Sequence, residues 1–139
     1  MIKDIYEFNT EILEVKRKGP KLLEEVEINW LIGALREEIQ ELIDANEIKD
    51  LVGCVDGVLD LAYFAVGACV RMGLTKNQIE DCFQVIHTAN MAKRKGIKES
   101  RPQDGSIADA VKPIEWEPPE LAMAKIIFKN TKQIELDFS

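Results

Sequence analysis

Four carboxylates carry the chemical interest of this sequence, in two pairs. Glu38 and Glu41 stand three residues apart, Asp56 and Asp60 four apart. On a helix, residues at either spacing fall on nearly the same face. Glu37 lies next to the first pair and points further out. Each pair sits on the shoulder of an apolar stripe, and a short polar stretch around Asn46 to Asp50 joins the two segments. A connection that short favours an antiparallel hairpin, which brings the two acidic shoulders together. Carboxylates facing a common space repel one another unless a cation sits among them. All-oxygen ligation suits a hard divalent ion, Mg²⁺ first, with Mn²⁺ or Ca²⁺ as substitutes. The plainer alternative is a solvated acidic edge, common on Glu-rich helices. It explains Asp56 and Asp60 less well, because aspartate is a poor helix former and the helix around them is otherwise almost uncharged.

The elements that must position these acids follow from periodicity. Ile2 to Lys18 reads as a first helix with Ile5, Phe8, Ile12 and Val15 on one face, stopped by Gly19-Pro20. A second helix begins between Lys21 and Asn29 and runs to about Ala45. Its stripe is Ile28, Leu31, Ile32, Leu35, Ile39, Leu42 and Ile43. A third covers roughly Ile48 to Met72 with Val52, Val55, Leu59, Tyr63, Val66 and Val70 inward, and Gly73 as a left-handed stop. Thr75-Lys76-Asn77-Gln78 has the form of a capping box. It opens a fourth helix, with Ile79, Cys82, Phe83, Ile86 and Ala89 toward the core and a basic end at Lys93-Arg94-Lys95. From Ile97 the chain turns polar and Pro-rich. Pro119 opens a short helix to about Phe128, and Ile134 to Phe138 alternates like an edge strand. The expected fold is all-α: an antiparallel four-helix bundle over residues 1–96, with an irregular C-terminal segment, 97–139, packing on the core or on a partner subunit.

With 139 residues, 46% hydrophobic and 31% charged, the chain reads as one soluble domain. The uncharged run Leu61 to Val70 is short for a bilayer, which needs about 20 residues, so no membrane association is expected. The first residues lack the layout of a signal peptide. Cys54, Cys69 and Cys82 are scattered and form no Cys-x-x-Cys motif, which suits a reducing, cytoplasmic setting. A net charge of −7 argues against a nucleic-acid partner, though not against a small phosphorylated ligand that brings its own metal.

Glu37-Glu38-x-x-Glu41, then Asp56-Gly57-x-x-Asp60-Leu61-x-Tyr63, then Asn90-x-x-Lys93 resemble the all-α nucleotide pyrophosphohydrolases. That superfamily includes MazG-like proteins, dimeric dUTPase/dCTPase-type enzymes and phosphoribosyl-ATP pyrophosphohydrolase. The resemblance covers about Trp30 to Arg94. The stretch Asp104-Gly105, Lys112-Pro113 and Trp116-x-Pro118-Pro119 looks like a C-terminal segment of the phosphoribosyl-ATP branch. The resemblance implies a MazG-like bundle that works as a homodimer or homotetramer. The implied reaction is Mg²⁺-dependent hydrolysis of a nucleoside triphosphate at the α–β bond, giving a monophosphate and pyrophosphate. Phosphoribosyl-ATP is the alternative substrate, and a catalytically silent binding bundle is the other reading. It assigns Glu38, Glu41 and Asp60 to the metal. The superfamily's Glu-x-x-Asp motif has glycine (Gly53 or Gly57) in the glutamate's place here, so Asp56 is expected to compensate. Glu37 is a candidate base, and Lys93 and Asn90 suit phosphate or a bound water. A helix-terminal cation is an equal reading of Lys93. Trp30 stacks on a base or packs in the core or a dimer interface. Lys112 and Trp116 close over the nucleotide or form a plain surface loop. Arg71 contacts phosphate or caps its helix. His87 is expected to pack in the core.

Overall fold

The computed structural model describes residues 1–98 and 108–129, and within them the chain is mostly helical. Its elements are α1 (Ile2–Glu7), a π-helical turn (Phe8–Ile12), α2 (Glu25–Glu47), α3 (Leu51–Arg71), α4 (Lys76–Met91), β1 (Arg94–Gly96), β2 (Asp109–Val111) and α5 (Glu120–Ile127). The chain divides into two compact units, Met1–Ile79 and Glu80–Ser139, with the division inside α4.

In the first unit α2 and α3 form the expected antiparallel hairpin. Lys49 turns the chain with a φ of 60°, and Asp50 caps α3 by accepting a hydrogen bond from the Gly53 amide at 3.0 Å. The register is visible along the whole pair. Glu27 meets Arg71 at 3.7 Å, Trp30 meets Phe64 edge-on, Gly57 lies against Leu42, and Gly53 lies against Ala45. At the far end Gly73, with φ of +88°, stops α3 where any side chain would run into the Gly19 carbonyl. The capping box forms as expected. The Gln78 amide donates to Thr75 Oγ1 (3.2 Å), and the Thr75 amide donates to Gln78 Oε1 (2.9 Å).

Several expectations need correction. The first helix ends well before Lys18: its α-helical part stops at Glu7 and the π-turn stops at Ile12. The cause is local. Asn9 Nδ2 and Thr10 Oγ1 donate back to the Ile5 and Tyr6 carbonyls, competing with the backbone ladder, and Glu14 then leaves at a φ of 53°. The apolar stripe assigned to α3 is also turned. Val52, Val55 and Leu59 are exposed, and the buried positions are Gly57, Gly67, Ala68 and Val70. Val70 keeps its expected inward place, while Val52 and Val55 face outward and small residues take the other buried positions. By length and composition α3 is apolar enough to cross a membrane, with Asp56 and Asp60 in its middle. Finally, the basic segment after α4 is a strand, β1, paired antiparallel with β2 through Arg94↔Val111 and Gly96↔Asp109. On α4 itself, Ile79 and Cys82 are buried but Phe83 and His87 are exposed, so His87 is not a core residue. Pro119 precedes α5 as expected. The four-helix arrangement is not what the described elements establish; the helical core is. The proposed edge strand Ile134 to Phe138 and the Asp104-Gly105 segment lie outside the described residues.

Candidate functional site

The hairpin brings the two acid pairs into one electrostatic neighbourhood. Burial pushes the Glu38 carboxyl above the ordinary carboxylate range, and Glu41, Asp60, Asp56 and Glu37 push it further, in that order of strength. Glu38 Oε2 is sealed from solvent and has no hydrogen-bond partner among the described residues. Glu37, Glu41 and Asp56 are exposed, and Asp60 is half-buried. No three Asp, Glu, His or Cys side chains converge within ligating distance of one point among the described residues, which suits like charges repelling across a shared gap. The unpartnered Glu38 oxygen and the four carboxylates that act on it electrostatically are oxygen donors of the kind a hard divalent cation takes, though they do not converge on one point.

The two glycines that stand at the motif glutamate's place differ in their surroundings. A side chain at Gly53 would strike the Asp50 cap and Ala45. Gly57 sits against the Glu38 carbonyl and Leu42, 3.5 Å from where its Cβ would be. Gly53 is crowded whereas Gly57 has room for a methyl group, and Asp56 and Asp60 supply the charge on α3.

A cavity of about 450 Å³ opens beside Glu38 and Asp60, and spacing alone did not reveal it. Its walls are largely aromatic: Phe8 packs edge-on against Tyr63 at 5.5 Å, and Trp30 against Phe64 at 6.0 Å. Asn9, Leu13, Gly67, Ala68 and Arg71 complete the lining. The Arg71 guanidinium lies 4.5 Å from the Trp30 ring centre and pairs with Glu27, which Arg17 also engages. Arg17 Nε donates in turn to the Arg71 carbonyl at 2.8 Å. Arg71 is thus held as a brace for Trp30, a contact its position at a helix end did not announce.

Asn90, Lys93 and Lys112 belong to the second unit. Asn90 is exposed there. Lys93 and Lys112 both approach the ring of Trp116, at 5.4 and 4.6 Å from its centre. Trp116 Nε1 donates to the Ala89 carbonyl at 2.6 Å, satisfying one of the open carbonyls at the end of α4. Trp116 therefore gathers two cations and ties down the segment that carries them.

Comparison with protein families gives one match: the family described as phosphoribosyl-ATP pyrophosphohydrolase, over residues 5–90. Neither a curated protein nor a solved structure matches.

Proposed function

The chain belongs to the phosphoribosyl-ATP pyrophosphohydrolase family, a hydrolase family acting on nucleotide pyrophosphate bonds within the MazG-like superfamily, and from that premise we propose that it splits the α–β phosphoanhydride of a nucleoside triphosphate with Mg²⁺, releasing a monophosphate and pyrophosphate. The observation that carries this reading is the sealed, unpartnered Glu38 oxygen at the acidic edge of an aromatic cavity. Asp60 lies one to two helical turns from Phe64 and Gly67, about 6–10 Å along the axis at 1.5 Å per residue. That separation matches a sugar bridging a stacked base and an α-phosphate.

Glu38, Glu41, Asp56 and Asp60 would hold Mg²⁺, or Mn²⁺ in its place. When bound, the ion would neutralise the polyphosphate and orient the pyrophosphate leaving group. The aromatic walls hold the base and exclude water from that end. Glu37, exposed next to Glu38 in the chain, accepts a proton from the attacking water. Lys93, Asn90 and Lys112 are assigned to phosphate on their spacing and charge alone. Phosphoribosyl-ATP as the substrate is favoured by the family match itself and would be cleaved at the same bond. The test is pyrophosphate release from a panel of nucleoside triphosphates and phosphoribosyl-ATP, with Mg²⁺, with Mn²⁺ and with chelator. Release from the triphosphates supports the first substrate, and release from phosphoribosyl-ATP alone supports the second. Release from neither leaves a silent binding bundle.

We also propose a homodimer or homotetramer, supported by the uncovered valine face of α3.

A further inference from the structure

The polar residue Asn9 is 4% exposed and sits in the π-helical turn that forms one edge of the cavity. Helices widened in this way occur often at functional sites. Its Nδ2 donates to the Ile5 carbonyl at 2.8 Å. A carbonyl can only accept, so this bond fixes which way the amide faces. The amide also lies hard against α3: a Cβ on Gly67 would stand 3.0 Å from Nδ2 and 3.3 Å from Oδ1. Oδ1 accepts no hydrogen bond from the described residues. Asn9 is among the residues that line the cavity. The cavity wall therefore holds an amide whose donor is engaged and whose acceptor oxygen is unbonded among the described residues.

We infer that Asn9 is a base-reading residue that selects nucleobases with an amino group at pyrimidine C4 or purine C6, cytosine and adenine, over their keto counterparts, uracil and hypoxanthine. An amino group reaches furthest from the ring and donates to Oδ1, whereas a keto oxygen at the same position sets acceptor against acceptor and leaves both unpaired. This rests on the cavity being the base site proposed above.

The experiment separates base recognition from hydrolysis. Calorimetric titration of the whole protein with CMP against UMP, and AMP against IMP, compares pairs that differ only at the amino or keto group. The same preparation is assayed for pyrophosphate release from CTP, UTP, ATP and ITP. The amino member of each pair binds about tenfold or more tighter, and Asn9→Ala brings the ratio close to one. Equal binding, keto preference, no binding by either member, or a preference retained in Asn9→Ala overturns the inference. Discrimination in binding with no pyrophosphate released from any triphosphate sustains Asn9 as the reader while removing the hydrolytic reading. If Asn9→Ala loses its helical signal, Asn9→Ser and the wild-type ratios decide.

Discussion

At the scale of single residues, Glu38 concentrates the physics of the site. Desolvation and four neighbouring carboxylates raise its pKa above the ordinary 4.5. The folded chain therefore holds this proton more tightly than the unfolded chain. Stability falls as pH climbs from the ordinary value through the raised one. In chelator, Glu38 lowers the melting temperature of the wild type progressively as the pH rises above 4.5. Glu38→Gln flattens that decline, and Mg²⁺ at pH 7 opposes it in the wild type. A decline identical in both proteins removes Glu38 as its source. The same variant, like Asp60→Asn, loses turnover by about a hundredfold or more with its helical signal intact, because charge stabilisation at a reacting phosphate is worth that much. That these acids share one neighbourhood was legible in the sequence because their spacing is helical and the helix around Asp56 and Asp60 is almost free of charge. Asn9 was not. A lone asparagine carries no period, and its burial is decided by Gly67, far along the chain.

At the scale of elements, the approach of α2 and α3 depends on what α3 lacks. An ideal Cβ at Gly57 would sit in ordinary contact with Leu42 and the Glu38 carbonyl. Gly57→Ala is therefore accommodated and gains up to about 1 kcal/mol of helix propensity. Gly57→Leu forces the helices apart, costs about 1–3 kcal/mol in urea unfolding, and lowers turnover with the fold retained. Equal stability of the two variants would mean that α2 does not close on α3 at this point. The capping box at Thr75 and the hairpin were readable from sequence because their signals are local. The inward face of α3 was misread for the opposite reason. Periodicity weights Val52, Val55 and Leu59 for their bulk, while the true contact face is marked by glycine and alanine, whose apolar signal is faint. The early end of the first helix was hidden in the same way, since it depends on Asn9 and Thr10 taking backbone carbonyls with their side chains.

At the scale of the whole molecule, the displaced valines pose a question of solvent. Val52 is 80% and Leu59 60% exposed, on a helix that by composition suits a bilayer. Lipid is a poor match for that face, because Asp56 is exposed in the middle of the same helix and a carboxylate in hydrocarbon is heavily penalised. A second copy of the chain offers apolar cover while leaving Asp56 at a wet rim, and symmetric pairing would set each α3 against its own image. On that basis the wild type elutes as a dimer or tetramer in light scattering at micromolar concentration and stays off neutral lipid vesicles. Val52→Glu and Leu59→Glu each place like charges across the symmetric contact and weaken association by about a hundredfold, or about 2.7 kcal/mol. A monomeric wild type that turns over substrate at full rate, or one that floats with vesicles, would show that the face is covered by something other than a second copy.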